Sequence, residues 1–135
     1  MNIVMDSHVL LLALFFGGHP RQILEAVMQG NVAAYATREI IEEYEAAIAK
    51  MASRKRRKLP RNFLLPFISH LHIVKPSPHA AVCSDPNDDK FISCAVAANA
   101  LYIVNDEKEV LVEGPGRAAK VISAEGFCLL LTLCA

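Results

Sequence analysis

The sequence lacks the features that would mark a membrane-spanning, exported or strongly charged protein. Lys and Arg together number 14 and Asp and Glu number 14, so the whole molecule has no general electrostatic bias toward nucleic acid. The longest apolar run covers residues 9–16, which is too short to span a bilayer. Asp6 precedes this run and no Lys or Arg does, so we expect neither a signal peptide nor a membrane partner.

Cysteine and histidine also lack the spacings of zinc or redox sites. No two of the four cysteines are separated by two residues, and the five histidines are scattered. We therefore expect free, mostly buried thiols in a cytoplasmic protein. No Gly-x-Gly-x-x-Gly or phosphate-binding loop follows the first apolar segment, which disfavours a nucleotide-binding or flavodoxin-like module.

What the sequence does contain is a large apolar fraction, 53% of 135 residues. A parallel sheet covered by helices on both faces explains such an excess. We predict strands at residues 2–5, 32–36, 72–75, 101–104 and 120–123. We predict helices at residues 7–16, 21–28, 37–51, 61–71, 88–99 and 124–134, with Ser7 and Thr37 as caps of the first and third. The alternation predicts one α/β domain over residues 1–135, a three-layer α/β/α sandwich on a five-stranded, mainly parallel sheet.

Acidic residues occur where this fold would bring them together. Asp6 follows the first predicted strand, and Asp106 and Glu107 follow the fourth. The carboxyl ends of parallel strands open into a single crevice, so these side chains should lie close to one another. Taken singly, each acid can also be an ordinary cap or turn residue.

Helical periodicity selects two further acids. Glu43 borders the apolar stripe of the third helix, whereas the neighbouring glutamates point toward solvent. Asp88 shares the inward face of its helix with Phe91 and Ile92, and it lies at a helix N-terminus that favours an ionised carboxylate. Carboxylates gathered in this way repel each other unless they share a hard cation such as Mg²⁺ or Mn²⁺. The pattern therefore predicts a metal-dependent nuclease.

A basic run lies between the third and fourth predicted helices. Five adjacent cations can hold phosphates without reading sequence, or can simply form a solvated helix end that suits the helix dipole. Both interpretations stay open. The candidate RNA-binding residues are Arg54, Lys55, Arg56, Arg57 and Lys58.

Four segments resemble the motifs of PIN-domain proteins, bacterial toxins of toxin–antitoxin pairs in particular. DSHVL at residues 6–10 is similar to Asp-Thr-Asn-Val-Leu, and IIEEY at 40–44 to Leu-Leu-Glu-Glu-Leu. DPNDDKF at 85–91 resembles Asp-Pro-x-Asp-Asp-Lys-Phe, the most specific of the four. YIVNDE at 102–107 resembles Tyr-Leu-Val-Thr-Gly-Asp. The resemblance covers nearly the whole chain and implies an α/β/α sandwich on a five-stranded parallel sheet.

The resemblance also implies Mg²⁺- or Mn²⁺-dependent cleavage of RNA and an antitoxin partner. Its acidic catalytic set falls on Asp6, Glu43, Asp88 and Glu107, with Asp6, Asp88 and Glu107 as metal ligands. Ser7 takes the place of the supporting threonine. A one-residue adjustment of the fourth motif would place Asp106 where an ungapped alignment places Glu107.

His8 and Asn105 depart from the family pattern. These departures favour the alternative function, a catalytically weak or silent PIN-fold module that binds RNA or a protein partner. The apolar runs at 9–16 and 127–133 exceed the needs of a small core, which also suggests a homodimer.

Overall fold

The computed structural model describes residues 1–55, 58–77, 86–106 and 119–134, without the side chains of residues 55, 86–88 and 134. Strands and helices alternate along these parts of the chain. The strands are β1 (Asn2–Met5), β2 (Ala33–Ala36), β3 (His72–Ile73), β4 (Tyr102–Val104) and β5 (Lys120–Ile122). The helices are α1 (Ser7–Phe15), α2 (Gly18–Met28), α3 (Arg38–Lys55), α4 (Arg61–His70), α5 (Pro86–Ala97) and α6 (Ala124–Cys134).

The five strands form one parallel sheet in the order β3-β2-β1-β4-β5. The chain adds strands on one side of β1 and then crosses β1 to add β4 and β5 on the other. Right-handed crossovers place α5, which connects β3 to β4, on the face opposite the helices that connect β1 to β3. The predicted three-layer α/β/α architecture is confirmed. The strand order reverses at β1, so the topological switch point lies between the ends of β1 and β4.

The first helix begins differently from the prediction. Asp6 is its N-cap, with an extended backbone and a carboxylate that accepts a hydrogen bond of 3.0 Å from the His8 amide. Ser7, predicted as the cap, is the first helical residue. The prediction was wrong because Asp and Ser are comparably good N-caps, and sequence alone does not choose between adjacent candidates.

The break between α1 and α2 is shorter than predicted. Helix α2 begins at Gly18 rather than at residue 21, since Pro20 fits within a first turn, where no intrahelical N–H is needed. Gly17 and Gly18 have φ of 105° and 69°, a backbone conformation that favours glycine. Arg21 donates hydrogen bonds to the carbonyl oxygens of Ala13 and Leu14, which satisfies the end of α1.

Helix α3 begins as predicted and ends later. The Thr37 hydroxyl accepts a hydrogen bond of 3.3 Å from the Ile40 amide, so Thr37 caps the helix. The helix then continues to Lys55 instead of ending near residue 51. No glycine or proline interrupts the chain between those positions, and basic residues suit a helix C-terminus. Helix α5 likewise starts at Pro86 rather than at residue 88, since proline is favoured at the first helical position.

The core contains both β1 and the Leu-rich helix α1. Five apolar residues of α1 are buried, namely Val9, Leu10, Ala13, Leu14 and Phe15. Their burial explains the apolar run at 9–16 without a second subunit, because this helix packs inside its own domain. Helix α6 differs, since Leu129 and Leu133 are 64% and 76% exposed. The homodimer prediction therefore depends on α6 alone.

Candidate functional site

Asp6 lies at the switch point of the sheet. Met5 pairs with Val104 in the parallel register of β1 and β4, and the Asp6 amide donates a hydrogen bond of 2.9 Å to the Val104 carbonyl oxygen. Asp6 is half-buried, and its carboxylate faces the first amides of α1, where the helix dipole favours a negative charge. This is the part of an open α/β sheet where ligands bind.

Glu43 lies at the same site although it is distant in sequence. The Ser7 hydroxyl donates a short hydrogen bond to Glu43 Oε2, which joins the first turn of α1 to α3. Glu43 is half-buried, whereas Glu39, Glu42 and Glu45 are exposed. The orientation predicted from helical periodicity is therefore correct. The supporting role of Ser7 in a catalytic site stays a prediction.

Lys90 completes this group of side chains. Its ammonium nitrogen forms an ion pair with Glu43 Oε1, which connects α5 to α3. The sequence prediction did not include Lys90 in the site. The available signal was its position two residues after Asp88, inside the most specific motif. Ser7, Glu43 and Lys90 thus connect three helices at the carboxyl end of the sheet.

Tyr44 forms the floor beneath these residues. Its hydroxyl donates a hydrogen bond of 2.5 Å to the carbonyl oxygen of Met5, the last residue of β1. Burial raises the pKa of Tyr44 well above its ordinary value, and the charges of Cys94, Asp6 and Glu43 raise it further. The phenol therefore stays protonated and remains a donor. The Ser7 hydrogen bond to Glu43 places this acid beside the first turn of α1, which Asp6 caps.

Asp106 is turned toward a different partner. Its carboxylate accepts a hydrogen bond of 2.7 Å from the Ala124 amide, at the first residue of α6. The residue is exposed. This contact joins the end of β4 to α6. Glu107 lies outside the described residues, so the choice between Asp106 and Glu107 as the fourth acid stays a prediction.

The side chain of Asp88 also lies outside the described parts of the structure. Its backbone belongs to the first turn of α5. Phe91, Ile92 and Ala95 are buried, as the inward face shared with Asp88 predicts. The adjacent Asp89 has a buried Oδ1 for which the described residues provide no hydrogen-bond partner. Sequence reasoning passed over Asp89 because it lies a quarter turn from that face.

The described residues contain no complete metal site. Among them, no group of three or more His, Cys, Asp or Glu side chains is placed to hold a metal ion. Asp6 and Glu43 are the two predicted acids whose side chains are described. Their oxygen donors suit Mg²⁺ or Mn²⁺ better than a thiophilic metal, so the chemistry of this pair fits the predicted ion.

The basic run and the thiols are described in part. Arg54 lies in the last turns of α3, and Arg54 and Lys58 are exposed, whereas Arg56, Arg57 and the side chain of Lys55 lie outside the described residues. Cys94 and Cys128 are free and buried, as expected. Cys83 and the side chain of Cys134 lie outside the described residues. No helix in the described ranges is long and apolar enough to cross a membrane.

An apolar groove opens between α3 and α4, and Tyr44 is one of its lining residues. Its volume is about 310 Å³. Phe67 and Tyr44 are buried in its floor, whereas Ile68 and Ile73 are 52% and 69% exposed. The other lining residues are Leu10, Ile41, Glu45, Ile48, Ala49, Leu59, Leu64 and Leu71.

Comparison with known proteins agrees with this fold. The chain is 27% identical over 128 residues to an uncharacterized protein of Methanocaldococcus jannaschii, covering 90% of this chain and 81% of that protein. A chain in the crystal structure of VapBC2 from Rickettsia felis bound to a DNA fragment from their promoter shares the fold, with a TM-score of 0.61 and 16% identity. That match covers 91% of this chain and all of the other. The family model described as PIN domain matches residues 2–109, most of the sequence, so this chain belongs to the PIN-domain family.

Proposed function

We propose that this protein is a metal-dependent endoribonuclease and the toxin of a toxin–antitoxin pair. PIN domains are generally nucleases. The observation that carries the proposal is the position of Asp6 at the switch point of the sheet, where the next residue, Ser7, donates a hydrogen bond to Glu43. Carboxylates at the carboxyl end of a parallel sheet are suited to binding hard cations.

The proposed site uses Asp6, Asp88 and Glu107 to hold one or more Mg²⁺ or Mn²⁺ ions through carboxylate oxygens. A divalent ion in such a site supplies a nucleophile from water near neutral pH and offsets charge on a phosphodiester. Ser7 and Lys90 fix the orientation of Glu43 toward that centre. Tyr44 holds the end of β1, and therefore the backbone that carries Asp6.

The basic run is the proposed contact for the phosphates of the RNA backbone. Arg54 and Lys58, at the two ends of the run, are exposed. Contacts of such cations with phosphates give affinity without sequence specificity. Net charge is zero, so local charge has to provide this attraction.

A partner protein fits the apolar groove. We propose that its occupant is an amphipathic helix of an antitoxin, with apolar residues facing Ile68 and acidic residues facing the exposed Lys58. The lining of the groove includes Leu59, 44% exposed, directly after Lys58. An apolar groove with a cation at its border is complementary to a helix of that composition. VapBC2, whose chain shares this fold, is named as a complex.

Cleavage of single-stranded RNA in the presence of Mn²⁺ tests the activity. The native chain should cut the substrate, and Asp6→Asn should abolish cleavage while the protein remains folded. If RNA binds without cleavage by the native chain at any Mn²⁺ concentration, the proposed activity is wrong. The silent binding module, favoured by the departures at His8 and Asn105, would then be the better interpretation.

A further inference from the structure

Glu43 has partners for both of its carboxylate oxygens. The Lys90 ammonium contacts Oε1, and the Ser7 hydroxyl donates to Oε2. One of the two partners carries a positive charge, so the charge of Glu43 is compensated by the chain itself. A metal ligand without bound metal would have a negative charge that no neighbouring cation compensates, and Glu43 differs from it in this respect.

Lys90 is held in a sheltered position. Its side chain is 14% exposed and that of Glu43 is 32% exposed. The ammonium nitrogen also lies 5.8 Å from the centroid of the Phe91 ring. A charge pair shielded from water in this way interacts more strongly than a surface pair, and removal of one partner leaves the other poorly solvated.

We propose that the Lys90 ammonium takes the place of a second divalent cation, so that the centre binds one metal ion per chain. This inference rests on the proposed function and specifies its metal stoichiometry. A second ion near Glu43 would have to break the ion pair and would be repelled by the ammonium. Lys90 acts through Glu43 and is therefore a positioning residue.

Titration with Mn²⁺ alone, followed by calorimetry and by the loss of the free-ion electron paramagnetic resonance signal, tests the inference. The native chain should bind one ion. Lys90→Met should bind a second ion, since Glu43 is then uncompensated and accessible. Metal-free Lys90→Met should also melt at a lower temperature than the native chain. Saturating Mn²⁺ should raise the Tm of this variant by more than it raises the Tm of the native chain.

Three further variants test whether the positive charge of Lys90, and no other property of the site, limits the number of bound ions. Lys90→Arg keeps the positive charge and should bind one ion. Ser7→Ala removes a hydrogen bond from Glu43 without changing the charge and should also bind one ion. Lys50→Met makes the same substitution at an exposed lysine of α3 and should behave as the native chain does.

The number of ions bound by the native chain distinguishes a failure of this inference from a failure of the proposed function. A native chain that binds two ions overturns this inference and leaves the ribonuclease proposal in place. A native chain that binds none overturns both. If Lys90→Met binds one ion with unchanged affinity, or if Lys90→Arg binds two, Lys90 does not stand in for a cation. Lys90→Arg keeps the assay decisive if Lys90→Met fails to fold.

Discussion

The hydroxyl of Tyr44 donates a hydrogen bond of 2.5 Å to the carbonyl oxygen of Met5. This bond joins α3 to the last residue of β1, immediately before Asp6. Tyr44 is 4% exposed, so the bond lies inside the core. The same side chain therefore packs in the core and fixes the backbone that presents the first acid.

Replacing Tyr44 with Phe should lower the free energy of unfolding by about 1–3 kcal/mol, because a buried carbonyl loses its hydrogen-bond donor. Chemical denaturation measures this loss. Tyr35→Phe is the matched control, since Tyr35 is half-buried and stacks on His72 through its ring. Equal losses for both variants would contradict a special role for the Met5 bond.

Asp6 should have two separable roles, as a helix cap and as a metal ligand. Asp6→Asn keeps a good N-cap, so its stability should stay close to that of the native chain while Mn²⁺ binding and RNA cleavage are lost. Asp6→Ala should lose both the activity and about 1 kcal/mol of stability. Thermal melts without metal, compared with cleavage assays, distinguish the roles. Retained cleavage in Asp6→Asn would show that Asp6 serves only as a cap.

Stability should fall at alkaline pH because of Cys94. Burial raises the pKa of this thiol from 9.0 to about 12, although a hydrogen bond with the Thr37 backbone acts in the opposite direction. The folded state thus holds the proton more tightly than the unfolded state. The resulting stability is complete below pH 9.0 and declines as the pH rises toward about 12.

Denaturation at a series of pH values between these limits measures that decline. Cys94 should contribute up to about 1.4 kcal/mol per pH unit to the slope. Cys94→Ala should have a shallower slope, even if the substitution lowers stability at neutral pH by leaving a cavity. The raised pKa of Tyr44 adds a decline above pH 10.0 in both proteins, so the difference between their slopes isolates Cys94. Identical slopes would mean that the Cys94 thiol is not protected in the folded state.

Charge reversal at the basic run should weaken RNA binding. Arg54→Glu combined with Lys58→Glu removes two exposed cations, and the slope of log K against log salt should fall by about 1.4 for single-stranded RNA. Filter binding at several salt concentrations measures the slope. Lys75→Glu combined with Lys120→Glu reverses two exposed cations outside the run and should keep the slope closer to the native value. An unchanged slope in the first variant would exclude the run from the RNA site.

A charge in the apolar groove should block the partner. Ile68→Glu places a carboxylate where the proposed antitoxin helix contributes apolar residues, so affinity should fall by about tenfold or more, corresponding to about 1.4 kcal/mol. The probe is a helical peptide with one apolar and one acidic face, and calorimetry measures its affinity. Leu129→Glu is the control, because Leu129 is 64% exposed on α6 and does not line the groove. Equal loss in both variants would place the partner elsewhere.

The sequence by itself determined the alternation of strands and helices, because burial on both faces of the sheet leaves continuous apolar strands between amphipathic helices. It also determined the inward orientation of Glu43, since helical periodicity fixes which of several adjacent acids borders the apolar stripe. Helix ends were less certain. Asp6 and Ser7 are both good caps, and the basic end of α3 continues a helix that local pattern suggested would stop.

Only the tertiary structure decided which distant side chains meet. Lys90 and Glu43 are 47 positions apart, and nothing in the local pattern of either helix specifies that an ammonium group compensates a carboxylate. The same holds for Asp106, whose carboxylate is directed to the Ala124 amide by the packing of α6 beside β4. Periodicity fixes the face of an element on which a residue lies, whereas pairing across elements depends on how those faces pack together.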